Sequence, residues 1–230
     1  MDWNPPQKPA SHAENLLVKS ILDGRFPAGT SLPAERELAL MLGVTRPTLR
    51  EALQRLARDG WLEIQHGKPT RIKDYLQEGN LAVLGAIVAH RENLPAEFVD
   101  NLLYVRLLLA PNYTRLAVER AHTLVSELMS TYTDLEDTPA SFAAADWQLH
   151  HQLCILSGNP VFTLILNGFS TFYQVMAERY FAAPQARQVS RSFYLDLLAA
   201  AQRADGAAAY AITERMMHLS IELWQRASQS

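Results

Sequence analysis

Arg46, Arg50, Arg55 and Arg58 fall within one short segment, interleaved with Leu49, Leu53 and Leu56. The leucines recur at helical spacing and predict one buried face. The opposite face is led by Arg46 and Arg50, one turn apart. A guanidinium can grip guanine O6/N7 or a phosphate through two parallel hydrogen bonds, which an ammonium does less well. Such a helix buries its leucines and offers its N-terminal arginines to a major groove. Thr45 and Thr48 add hydroxyls that can donate to phosphates. Glu51 and Arg55 have i,i+4 spacing, which assigns Arg55 a structural pair. Arg58 stands where a cation answers the helix dipole. Downstream, the turn His66-Gly67-Lys68-Pro69 offers backbone amides, a lysine and a histidine to phosphate or the minor groove. A histidine there is more often an ordinary turn residue than a contact.

A second set lies near the middle of the chain. Asp146 and His150 are placed on one helix face by their spacing. By itself such a pair often forms an ordinary side-chain hydrogen bond. Cys154 follows one turn later, but "HHQLCIL" reads as a buried helix, in which cysteine is a small core residue. With no phosphate loop and no serine elbow, an enzyme is not expected. The segment "VFTLILNGFSTFYQVM" is apolar almost all round, so other helices must enclose it. It is either plain core or the lining of a long apolar cavity.

The chain has 230 residues and a net charge of −3. The charge is unevenly spread: residues 1–75 hold 11 Lys+Arg against 9 Asp+Glu, and residues 76–230 hold 10 against 15. Residues 43–73 alone hold seven basic and three acidic residues. This asymmetry suggests a polyanion-binding end and a different other end, although a solvated face would look similar. Cys154 is the only cysteine, so no intrachain disulfide can form and a reducing compartment fits. No uninterrupted run of about 18 apolar residues predicts a membrane span, and the start lacks a secretory apolar core. The expected location is the cytoplasm.

The elements that must position these residues can be read coarsely. The first dozen residues are expected to fray. Helices are predicted over 13–23, with Leu16, Leu17, Ser20 and Ile21 inward, and over 34–42, with Leu38, Met41 and Leu42 inward and Pro33 opening the helix. The third helix runs from Arg46 to just before Gly60. "WLEIQ" alternates as a strand, and residues 70–72 form its return. Helix, turn, helix and hairpin is the order of a winged helix-turn-helix. Beyond it, helices are predicted over 79–90, 95–119, 123–135, 139–157, 160–182, 186–203 and 206–227, with Pro111 kinking or breaking the second. The fold class is therefore mainly α: a winged helix-turn-helix with a small β-hairpin wing at 1–73, a linker at 74–78, and an all-α helical bundle at 79–230.

"LPAERELA", "GVTRPTLREALQRLARDGW" and "QHGKPT" together resemble the DNA-binding domain of the GntR family of bacterial transcription factors. "DNLLYVRLLLAP", "SGNPVFTLILNG", "RYFAAPQAR" and "IELW" resemble the helical ligand domain of its FadR subgroup. The resemblance implies a homodimeric repressor/activator on a palindromic double-stranded operator, released by long-chain fatty acyl-CoA as effector, with no further cofactor. FadR-like proteins typically repress fatty-acid degradation genes and can activate unsaturated fatty-acid synthesis genes. Carried over by motif, the implied DNA contacts are Arg36, Thr45, Arg46, Thr48, Arg50, His66, Gly67 and Lys68. The implied ligand residues are Arg106, Tyr194, Met217, Ser220 and Trp224, with Arg106 meeting a CoA phosphate. Pro47 replaces a threonine common in the subgroup, which removes one hydroxyl contact. Met217 replaces a glycine, and its bulk would narrow the pocket. Relatives with this helical domain hold a metal on one Asp and three His; here Asp146 and His150 keep the first pair, while Tyr194 and Met216 occupy the other two positions. His218 would serve only after a shift of register. The alternative function is a regulator responding to a small carboxylate through such a metal.

Overall fold

The computed structural model describes residues 9–90 and 96–228. The described chain divides into two compact units, Met1–Asn93 and Leu94–Ser230. Among the described residues no helix is long and apolar enough to cross a membrane. Of the stretch expected to fray, residues 1–8 lie outside the described residues.

The first unit begins with α1 (Pro9–Leu22), which starts earlier than its periodicity suggested. It buries Ala13, Leu17, Val18 and Ile21, whereas Leu16 and Ser20 are only half-buried. Helix α2 (Glu35–Met41) follows Ala34, so Pro33 precedes the helix rather than opening it. Leu38 and Ala39 face the core. Met41, expected inward, is exposed: in so short a helix Leu38 and Ala39 already fill the buried arc. Helix α3 (Arg46–Asp59) buries Leu49, Ala52, Leu53 and Leu56. Thr45 caps its start by accepting from the Thr48 N–H, and Gly60 ends it in the left-handed region at φ 96°.

The hairpin is shorter than "WLEIQ" implied. Strands β1 (Leu62–Glu63) and β2 (Arg71–Ile72) pair antiparallel, Leu62 opposite Ile72 and Glu63 opposite Arg71. Trp61 is buried beside the strand and packs against Tyr75, with ring centroids 4.8 Å apart and planes tilted by 38°. The expected linker is itself ordered. Asp74 caps the one-turn helix α4 (Tyr75–Glu78), and Asn80 donates to the Arg58 carbonyl at 3.2 Å. Helix α5 (Leu81–His90) then packs on α1. These contacts hold residues 74–90 in the first unit.

The elements of the second unit among its described residues are all helices, joined by short turns. Helix α6 (Ala96–Ser130) carries Pro111 within it; its non-helical residue is Ala121, at φ −146° and ψ 38°. The break separating the two predicted helices is thus real, but it falls ten residues after the proline. Helix α7 (Pro139–Leu156) is capped by Thr138. The predicted 160–182 helix is two, α8 (Pro160–Asn167) and α9 (Ser170–Phe181), parted at Gly168 and Phe169. Helices α10 (Pro184–Gln202) and α11 (Gly206–Ser228) complete the unit. Helix α6 packs on α7, α10 and α11, and α7 on α9. Phe142, Leu149, Leu153, Phe181 and Leu197 form the centre of the core.

Gly60 combines a left-handed backbone with a close approach to the chain at Gly79. A Cβ there would lie 2.9 Å from the Gly79 Cα and 3.1 Å from the Asn80 nitrogen. Gly60→Ala should destabilise the first unit by about 1–3 kcal/mol, the order of strain at a left-handed non-glycine residue. Amide hydrogen exchange of the α1 and α3 core residues over a urea series checks this; a change within 0.3 kcal/mol, roughly the scatter of a neutral surface substitution, would contradict it.

Candidate functional site

In the first unit, the turn between α2 and α3 sets the proposed DNA-reading face. Arg46 and Arg50 are exposed, on the side of α3 opposite its leucines. Both are oriented by Glu35 of α2: Arg50 Nε donates to Glu35 Oε2 at 2.8 Å, and Arg46 Nη2 lies 3.9 Å from the same oxygen. Arg36, next to Glu35, is exposed. The Thr45 hydroxyl also sits 2.8 Å from that of Thr48, so this pair is engaged locally at the helix start. Pro47 falls in the first turn of α3, where its missing N–H has no helical partner to lose. Arg55 is locked by Glu51 at 2.6 Å and Glu14 at 3.6 Å, the structural role its spacing assigned. Arg58 pairs with Asp59 at 3.1 Å. In the wing, Gly67 has φ 72°, and His66 and Lys68 are exposed beside it. Arg71 braces the wing by donating to Glu63 at 2.8 Å and to Glu78 at 3.0 Å.

The second unit holds an apolar cavity. Its walls come from α6, α7, α8, α9 and α11, with Leu102, Leu109, Phe162, Ile165, Phe169 and Phe172 among the apolar residues. One polar cluster interrupts this lining. Arg106 Nη2 donates to Asp146 Oδ2 at 2.8 Å and to His150 Nε2 at 2.7 Å. His150 therefore accepts at Nε2, so its proton sits on Nδ1 and is donated to the Tyr113 hydroxyl at 2.7 Å. The Tyr173 hydroxyl donates to Asp146 Oδ2. Asp146 and His150 are buried, and Arg106 is largely so.

Burial alone would discharge these groups; their mutual contacts decide otherwise. For Asp146, burial favours the neutral acid, but Arg106 and then His150 hold its pKa well below the usual carboxylate range. Burial likewise opposes the charge on Arg106, and the Asp146 carboxylate more than restores it. For His150, burial and then the Arg106 cation both lower the pKa, so the ring stays neutral. Burial raises the Tyr113 and Tyr173 hydroxyls, which remain protonated: Tyr113 accepts from His150, and Tyr173 donates to Asp146. The cluster is one cation, one anion and neutral partners.

Of the five ligand residues implied by resemblance, Arg106, Ser220 and Trp224 line this cavity. Tyr194 and Met217 are buried in the core but outside the lining. Tyr194 instead stacks near Tyr132 and Phe142. Arg106 points inward to Asp146, so a phosphate would have to compete with that carboxylate. The donor atoms of the metal alternative, Asp146 Oδ2 and His150 Nε2, converge on a guanidinium nitrogen. Met216 is buried and His218 exposed. No group of three or more His, Cys, Asp or Glu is placed to hold a metal among the described residues. Cys154 is buried, and burial pushes its thiol up to about 12, which leaves no thiolate nucleophile at neutral pH.

Tyr113, Tyr173 and Glu35 were not foreseen. One signal was available: Arg106 is a lone cation inside "LLYVRLLLAP", and a cation in an apolar helix requires a buried anion. Nothing local identifies which tyrosines join them.

Residues 9–72 match the family described as bacterial regulatory proteins, gntR family, and residues 73–230 match the FadR C-terminal domain. A fatty acid metabolism regulator protein from Shewanella sp. (strain MR-4) is 47% identical over 190 residues, covering 82% of this chain and 78% of that relative. Its counterpart from Escherichia coli O1:K1 / APEC is 40% identical over 220 residues, covering 96% and 92%. A solved structure of Lar, described as controlling the Listeria monocytogenes agr system, shares the fold with a TM-score of 0.61 at 16% identity, covering 97% of this chain and 99% of that one.

Two outcomes follow from the polar cluster. Arg106→Met should destabilise the helical unit by about 3–5 kcal/mol, because it strands the buried Asp146 charge; urea titration at pH 7 measures this, and a loss under 1 kcal/mol, about that of an exposed pair, would contradict it. The pH dependence has a definite sign. Below the ordinary histidine value of 6.5 the unfolded chain takes a proton that folded His150 resists. Stability is therefore complete above that value and falls as pH drops toward the lowered folded pKa, by at most about 1.4 kcal/mol per pH unit. The Asp146 contribution is lost only below its ordinary 3.8. His150→Gln should flatten the dependence between pH 7 and pH 5; an equal slope in both proteins would assign it to another group.

Proposed function

This chain belongs to the GntR family of bacterial regulatory proteins and carries its FadR C-terminal domain, and on that premise we propose that it regulates transcription of fatty-acid metabolism genes with long-chain acyl-CoA as effector. The apolar cavity of the helical unit carries this reading. Acyl chains suit such a lining because each buried methylene contributes about 0.8 kcal/mol. The charge of Arg106 is already matched by Asp146, so the cavity offers no unmatched cation to a free carboxylate. Arg106 Nε lacks a hydrogen-bond partner among the described residues, and Arg106 lines the cavity. It can donate to a neutral carbonyl such as that of a thioester. Relatives named for fatty acid metabolism, 40–47% identical over most of the chain, support the same substrate class.

DNA is the second partner. Arg36, Arg46, Arg50 and Lys68 supply the cations, with Thr45, Thr48, His66 and the Gly67 backbone as polar contacts. The protein acts in the cytoplasm as a homodimer on a two-fold operator, so that two recognition helices meet two half-sites. Acyl-CoA lowers operator affinity by binding more tightly to the form that does not hold DNA.

Fluorescence anisotropy on a FadR-type operator, titrated with oleoyl-CoA and with free CoA and oleate as controls, tests the reading. Release by oleoyl-CoA alone is expected; tight binding unaffected by any of the three would remove the effector. Arg50→Ala should abolish specific binding while leaving the unfolding midpoint unchanged, and wild-type affinity at physiological salt would overturn its assignment. Trp224→Ala should weaken the acyl-CoA response at least tenfold while operator affinity stays within about twofold. A normal titration in that variant would place the ligand elsewhere.

A further inference from the structure

Arg46 and Arg50 are the two cations best placed on α3 to meet a groove, yet they do not project freely. Both converge on one carboxylate from the preceding helix, Glu35, through the 2.8 Å bond to Arg50 Nε and the 3.9 Å approach of Arg46 Nη2. Glu35 stands in the first turn of α2, fifteen residues away in sequence. Resting on the DNA-binding reading above, we propose that Glu35 is a positioning residue that makes DNA binding sequence-selective.

The geometry supplies one half of the argument. With Nε held, the Arg50 side chain loses rotational freedom, while both its Nη groups remain for an external acceptor. A two-pronged match to guanine O6 and N7 uses such a fixed fork. Less freedom is then lost when the base is read. Arg55 shows the contrast: it is gripped by Glu51, Glu14 and Ser11 and is too engaged to read a base.

Charge supplies the other half. Affinity for the phosphate backbone rises with every cation presented, whatever the sequence. Glu35 cancels one of the two charges at the α3 N-terminus. Arg36 and Lys68 have no ion pair among the described residues and keep their full attraction for phosphate. The division is thus between free cations that hold any DNA and held arginines that distinguish one site from another. An exposed pair of this kind contributes little to stability, so selectivity is where its removal is felt.

The experiment uses full-length protein and two duplexes: one enriched by the wild-type protein from a randomised pool, and a scrambled control. Affinities are measured for wild type, Glu35→Ala and Glu35→Gln over a salt series. Glu35→Ala should bind the scrambled duplex about three- to tenfold more tightly and the selected duplex about fivefold more weakly. Its salt slope on scrambled DNA should steepen by about 0.9, the value of one further phosphate contact. Glu35→Gln keeps an oxygen for Arg50 Nε; it should show the same gain on scrambled DNA while holding the selected duplex within twofold of wild type. Unfolding midpoints should match throughout. A selected-to-scrambled ratio in Glu35→Ala within twofold of wild type overturns the assignment of Glu35 alone. Failure of wild-type protein to enrich any sequence overturns the DNA-binding reading as well.

Discussion

The helical unit is organised around a guanidinium placed where an apolar core would exclude it. An unpaired Arg106 in that position would be prohibitively unfavourable. Its position is tolerable because α7 brings Asp146 and His150 to one nitrogen, and α9 adds the Tyr173 hydroxyl to the same carboxylate. The members come from three helices, so the cluster ties α6, α7 and α9 together at the wall of the cavity. Removal of any one charge leaves another stranded. A buried ion pair of this kind adds little net stability over an apolar replacement. In this bundle it gathers charged and polar groups at one wall of the cavity, while Tyr180 and Ser220 add further hydroxyls to the lining.

The first unit solves a different problem with similar means. Its recognition helix must bury leucines on one side and expose cations on the other. The buried side follows the helical period directly. The exposed side is disciplined by carboxylates: Glu51 and Glu14 retire Arg55 to a structural role, while Glu35 steadies Arg50 without covering it. The wing is braced likewise, since Arg71 joins Glu63 of β1 to Glu78 of α4. Those pairs are exposed and individually weak, but they decide the direction of cations whose net charge alone would be indifferent to sequence.

These two chemistries explain how one chain combines a polyanion-binding end with an acidic helical end. Phosphate recognition needs cations in water at the surface, where screening keeps them reversible. Recognition of an acyl chain needs a dry concavity with few polar groups, each already satisfied or ready to donate. Under the proposed function, Arg106 suits the second setting because its charge is internally compensated; Arg36 and Lys68 suit the first because neither has an ion pair among the described residues.

The amino-acid sequence by itself determined whatever depends on near neighbours. The leucine period of α3, the Gly60 stop, the Glu51–Arg55 pair and the shared face of Asp146 and His150 are all relations within about one helical turn, where backbone geometry fixes distance. The winged order and the helical second half were legible for the same reason. Tertiary structure alone decided relations that depend on how helices rotate and cross. It put Arg106 against His150 rather than toward solvent, recruited Tyr113 and Tyr173, brought Glu35 under Arg50, left Met41 exposed and Met217 outside the cavity lining. It also moved the irregular residue of α6 from Pro111 to Ala121 and parted α8 from α9. Periodicity tells which residues share a face; only packing, by balancing buried charge against apolar contact across the whole unit, tells what that face will touch.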